Sequence, residues 1–102
     1  MRRPVTWARE ALDDMRGQIA FIAQDNPGAA RRVADRLRDT GEALGEIATG
    51  RPGRVTGTYE KSVTRLPYII SYELRPIAGQ ESVVILRVIH TARDWPAEEW
   101  PN

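Results

Sequence analysis

The chain has 102 residues, 41% of them hydrophobic, a net charge of +1 and no cysteine. That is enough for one domain with a modest core. The absence of thiols excludes disulfide staples, thiolate catalysis and sulfur metal sites. The basic start (Arg2, Arg3) is not followed by an apolar signal core, and nowhere do 18 apolar residues run together, so a soluble, cytoplasmic protein without a membrane anchor is expected.

Residues 3–6 suit a short leading strand, with Thr6 as N-cap of a helix over 7–24 whose apolar stripe is Leu12, Met15, Ile19 and Ile22. Asp25, Asn26 and Pro27 then punctuate the chain. Pro27 lacks the N–H that a first helical turn leaves unpaired, and Asn26 can cap from in front of it. A second helix is expected over 27–48, with Ala30, Val33, Ala34, Leu37, Leu44 and Ile47 on one side. Its arginines (Arg31, Arg32, Arg36 and Arg38) form a solvated face that requires no function. About two residues separate the helices, so they should fold back as an antiparallel hairpin that needs a sheet beneath it.

Two glycines and a proline at 50–53 end the helical half, and the hydrophobic period becomes two. Val55, Tyr59 and Val63 alternate with polar residues in one or two strands broken at Gly57. Leu66-Pro67 turns the chain into a strand over 68–74, and 76–80 turns it again. Residues 83–90 are apolar except Arg87 and His90, which predicts a central strand covered on both faces. The simplest topology is a three-stranded antiparallel meander with that strand last, the helices covering one face and leaving the other partly open.

Charge is uneven along the chain. Residues 51–93 hold Arg51, Arg54, Lys61, Arg65, Arg75, Arg87 and Arg93 against Glu60, Glu73 and Glu81, while the short tail 95–102 is acidic. A basic sheet of this kind suits nucleic acid or an acidic protein surface. Arg87 sits among apolar neighbours, so its guanidinium must either reach the open face or pair with Glu60 or Glu73. His90 is the only histidine and has two readings: an acid or base near neutrality, or the end of a buried strand that donates one hydrogen bond to the following loop. Arg93-Asp94 could be a salt bridge closing the last strand or part of a binding surface. One histidine with no convergent carboxylates makes no metal-ligand set, and no cofactor is expected.

The arrangement as a whole resembles the ParE toxins of the RelE/ParE superfamily. It does so through Pro27-Gly28-Ala29-Ala30, Leu44, residues 50–55, residues 66–72 and residues 85–96, which end in His90, Arg93, Trp95 and Pro96. The resemblance runs from about Val5 to Pro96. It implies an α+β fold, a helical hairpin on one face of a small, mainly antiparallel sheet of three to four strands. It also implies the toxin of a type II toxin–antitoxin system, with a cognate ParD-like antitoxin as partner in a hetero-oligomer. ParE-like members are thought to poison DNA gyrase and RelE-like members to cut mRNA on the ribosome, and one fold serves both.

A metal-free ribonuclease needs an acid, a base and cations for the phosphorane charge. RNA-cutting relatives commonly place an arginine three residues before the position of Tyr72; here that residue is Ile69. Catalytic residues are therefore not expected, and Glu60, Arg65, Arg87 and His90 are the set that would serve if the chain were a nuclease. A non-toxic antitoxin-binding domain is a third reading. The residues expected to bind a partner are the aromatics Trp7, Tyr59, Tyr68, Tyr72 and Trp95, together with Arg51, Arg54, Lys61, Arg65, Arg87, His90 and Arg93. An antitoxin segment folding on this surface would bury more than about 1,000 Å².

Overall fold

The computed structural model describes residues 2–92. Arg93, Asp94, Trp95 and the tail 95–102 lie outside the described residues. The chain runs β1 (Val5–Trp7), α1 (Arg9–Ala23), α2 (Pro27–Ala43), β2 (Arg51–Pro52), β3 (Tyr59–Ser62), β4 (Tyr68–Ile77) and β5 (Gln80–His90). Two helices pack on one five-stranded sheet of order β1-β5-β4-β3-β2. The α+β class and the helical hairpin are as expected, but the sheet has five strands instead of three or four.

The extra strands lie at the two edges. β1 pairs in parallel with β5, Val5 opposite Val83 and Trp7 opposite Ile85, and β2 closes the far edge opposite Tyr59 and Glu60. The central strand is therefore β4, with β5 one place off centre. Pairing with β5 also keeps Thr6 and Trp7 out of the helix. The Ala8 N–H still reaches the Ile85 carbonyl at 2.8 Å, so Ala8, without a side-chain cap, takes the N-cap position assigned to Thr6.

α2 begins as read. Asn26 Oδ1 accepts from the Ala29 N–H at 3.0 Å, with Pro27 in the first turn. It ends at Ala43, five residues short of Ala48, because the next residues are held by the amino-terminal segment. The Arg3 N–H takes the Gly45 carbonyl at 2.7 Å, and a Cβ on Gly45 would come within 2.6 Å of the Arg3 carbonyl. Gly41, inside α2, has the same kind of role. A Cβ there would sit 2.5 Å from Trp7 Cζ2 and 2.8 Å from Ile85 Cδ1, so the missing side chain lets the helix settle on the indole and the sheet.

The strand predicted around Val55 is a loop. The Gly53 N–H donates to the Thr58 carbonyl at 2.8 Å, Thr58 N–H and Oγ1 both reach the Val55 carbonyl, and Gly57 has φ +88°. β4 and β5 form a long hairpin closed by Ala78 and Gly79, both at positive φ. Within it, Ser71 faces Arg87 and Tyr72 faces Ile85. Leu86 is the extra residue of a bulge.

The core gathers Ala11, Leu37 and Leu44 of the helical half against Val63, Tyr68, Ile70, Tyr72, Val83, Ile85 and Val88. Positions of the opposite parity on β4 and β5, Ile69, Ser71, Val84 and Ile89, are buried as well. The middle of the sheet thus lacks the open face anticipated for it, in keeping with the apolar run at 83–90. α1 buries Ala11 and Gln18 more deeply than its predicted stripe of Leu12, Met15, Ile19 and Ile22, which stays half-buried. No helix among the described residues is long and apolar enough to cross a membrane.

Candidate macromolecule-binding site

The polar residues proposed for the sheet divide into those consumed by the fold and those left at its rim. Glu60, Ser71 and Arg87 lie in one cross-strand row, yet the two charged groups do not pair, being two strand spacings or roughly 10 Å apart. Glu60 is 3% exposed. Its Oε2 accepts from the Arg54 N–H at 3.0 Å, and its Oε1 lies 3.3 Å from Arg51 Nη2. The carboxylate thus pins the 53–58 loop against β3, while Arg51 also reaches Ser62 Oγ at 3.3 Å.

Arg87 turns to α1, its side chain still 38% exposed. Its Nε and Nη2 grip Asp14 of α1 at 2.7 and 3.0 Å, and the Val88 N–H donates to the same carboxylate at 3.0 Å. β1 covers β5 only as far as Ile85, so Asp14 satisfies a backbone donor on the stretch of β5 that β1 leaves unpaired. Glu73 pairs with Arg75 instead. Sequence reasoning missed Asp14, although its spacing from Ala11 and Gln18 places it on the buried line of α1.

His90 stands opposite Tyr68 with its ring edge-on, centroids 5.2 Å apart. Its Nδ1 accepts from the Ala92 N–H at 3.2 Å, the reverse of the donation expected. The next residue, Thr91, donates from its N–H to the Pro67 carbonyl at 2.9 Å. His90 and Thr91 therefore tie the end of β5 to the turn before β4. Arg65 occupies that turn at φ 66° and is exposed.

Of the aromatic residues expected to anchor a partner, Tyr68 and Tyr72 are core, 3% and 1% exposed. Tyr72 donates its hydroxyl to the Thr49 carbonyl at 2.6 Å and stacks on Tyr59 at 5.5 Å. Burial, with Tyr59 adding to it, pushes the Tyr72 phenol above its ordinary value. Trp7 is half-buried and donates to Glu42 Oε2 at 3.2 Å. Tyr59, 37% exposed, offers the most exposed ring of this described group.

Arg51, Arg54 and Arg65 are exposed and Lys61 is half-exposed along the β2–β3 side of the sheet. Beside them, a groove of about 450 Å³ runs between the carboxy-terminal half of α2 and β3, with Ala43, Leu44 and Ile47 on the helical side and Lys61 and Thr64 facing them. The rim is thus a basic sheet edge next to an apolar trough. Such a surface suits contact with another macromolecule.

A helical hairpin on a small mixed sheet is the architecture of the toxins in several toxin–antitoxin structures. The chain superposes with a TM-score of 0.78 on the chromosomal ParDE system from P. aeruginosa, at 19% identity over 87% of this chain and 96% of that one. It also superposes at 0.60 on the toxin–antitoxin complex RelBE2 from Mycobacterium tuberculosis, at 22% identity over 88% and 99% of the two chains. The YoeB/ParE toxin from Agrobacterium tumefaciens gives 0.57 at 12% identity, over 85% of this chain and 97% of the other.

In sequence, it is 38% identical over 96 residues to Y4kP of Sinorhizobium fredii, a protein named as a toxin, covering 93% of this chain and 95% of that protein. It is 34% identical to Toxin RelE2 of Caulobacter vibrioides, over 87% of this chain and 96% of the relative. The model of the family described as ParE toxin of type II toxin-antitoxin system, parDE, matches residues 5–95. The chain belongs to that family and is the toxin component of a type II toxin–antitoxin system.

Proposed function

We propose that this toxin acts by gripping DNA gyrase through the basic side of its sheet, without breaking a bond, and that a cognate antitoxin neutralises it in a hetero-oligomer. The observation that carries this reading is how the would-be nuclease groups are employed. Glu60 is bound by Arg51 and the Arg54 N–H, and Arg87 by Asp14. His90 and Arg65 sit at the open end of the β4–β5 hairpin, beside the turn before β4, where Tyr68 faces His90. A general base must reach the proton it abstracts, and phosphorane stabilisation needs cations aimed at one point. Four groups spread over three places, two of them held by internal ion pairs, do not meet that requirement.

Arg51, Arg54, Lys61 and Arg65 supply positive potential along one side, and Tyr59 adds an aromatic contact. The antitoxin part of the reading is supported by the solved relatives, one of which is a toxin–antitoxin complex and another a ParDE system. The likeness to Toxin RelE2 favours a second reading, ribosome-dependent mRNA cleavage. Purified protein assayed for gyrase supercoiling and cleavage-complex formation, beside ribosome-dependent mRNA cleavage, separates the two. Inhibited gyrase with intact mRNA is expected; cleaved mRNA with untouched gyrase overturns the proposal.

A further inference from the structure

We infer that the groove between the carboxy-terminal half of α2 and β3 receives one segment of the antitoxin, which seats an apolar side chain between a basic residue facing α2 and an acidic residue facing β3. This rests on the toxin–antitoxin reading above and adds where the antitoxin is held and by what chemistry.

The apolar requirement comes from the wall. Leu44 is 1% exposed and closes the base, whereas Ile47, three residues on, is 69% exposed, the most exposed large hydrophobic among the described residues. Ala43, also exposed, leaves room beside it. A volume of about 450 Å³ accommodates a few side chains of a single chain segment and is too narrow for a folded domain.

The charge requirement comes from the rims. Asp39 lines the α2 side and Lys61 the β3 side. The neighbouring arginines are already engaged, Arg38 with Asp35 and Arg36 with the Thr64 carbonyl. Asp39 and Lys61 carry no ion pair among the described residues. Opposite charges on opposite walls of an apolar trough select a segment of complementary polarity and fix its direction.

The test uses the full chain and, as probe, the small protein encoded beside it, with binding measured by titration calorimetry. Ile47→Asp and Ala43→Arg alter exposed positions and should leave the thermal melt in place while weakening binding at least about 10-fold. Asp39→Lys and Lys61→Glu should each weaken it about 5-fold, with partial recovery when the opposing charge in the antitoxin is reversed. Ile47→Asp, Ala43→Arg and Asp39→Lys, which lie outside the basic side of the sheet, should inhibit the cellular target as wild type does. Binding by wild type with all four variants within twofold of it overturns the groove and leaves the toxin–antitoxin reading standing. No binding by wild type overturns both. A concentration-dependent dimer of the free chain that Ile47→Asp dissolves would give the groove to a second copy and likewise overturn the inference.

Discussion

Asp14 and Arg87, 73 residues apart in sequence, meet through two hydrogen bonds of 2.7 and 3.0 Å, and the same carboxylate holds the Val88 N–H at 3.0 Å. One side chain of α1 thereby balances the charge that β5 carries among apolar neighbours and satisfies a backbone donor on a stretch of β5 that β1 does not reach. The pair is partly shielded, Asp14 18% and Arg87 38% exposed at the side chain, so its worth lies between that of a surface pair and a buried one.

Removing either partner should therefore be unequal in effect. Asp14→Ala removes two hydrogen bonds from the guanidinium and the acceptor of the Val88 N–H, and is expected to cost about 2–3 kcal/mol. Arg87→Met leaves Asp14 its bond to Val88 and should cost about 1 kcal/mol. Urea unfolding of both single variants and the double variant measures this, and the double-mutant cycle should return a coupling energy well above zero.

Gly41→Ala should destabilise the fold although alanine is the better helix former by about 1 kcal/mol. The added methyl meets Trp7 at 2.5 Å and Ile85 at 2.8 Å, and overpacking of this kind costs about 1–3 kcal/mol. A fall in melting temperature is expected, relieved in part by Trp7→Phe, whose smaller ring retreats from the contact. A rise in melting temperature would contradict the packing described.

The Tyr72 phenol links the fold to alkaline pH. Its folded pKa lies above the ordinary value, first because of burial and then because of Tyr59. Above pH of about 10 the unfolded chain gives up a proton that the folded chain retains. Stability from this group is therefore whole below that pH and declines as pH rises toward the folded pKa. Unfolding measured from pH 8 to 11 should show that decline, and it should be shallower in Tyr72→Phe. At pH 7 the same variant should lose about 1 kcal/mol for the bond to the Thr49 carbonyl.

Glu60→Gln separates structure from chemistry. The glutamine keeps an acceptor for the Arg54 N–H but loses the charge facing Arg51. A cost of about 1 kcal/mol is expected, together with faster amide exchange across residues 53–58. Toxicity should persist. Its loss in a stably folded Glu60→Gln variant would point to a general base and to the nuclease reading.

Much of the local plan was legible in the residues. Asn26 and Pro27 mark the start of α2 because capping is a contact between near neighbours. The apolar run at 83–90 marks a strand buried on both faces, since alternation vanishes when neither face meets water. The aromatic inventory was harder to place. Tyr59 and Tyr72 stack in one pair, yet one borders solvent and the other lies in the core, and nothing in their spacing separates them.

By itself the sequence determined a hairpin of two helices, a turn-rich crossing and a strong terminal strand, because caps, turns and hydrophobic period act over a few residues. Tertiary structure alone decided that β1 returns beside β5, that Arg87 belongs to Asp14 and that Glu60 serves a loop. Those outcomes depend on which distant groups meet across the sheet. A side chain's charge can be read from its letter, but whether it is neutralised or offered to a partner depends on what the fold places within hydrogen-bond reach.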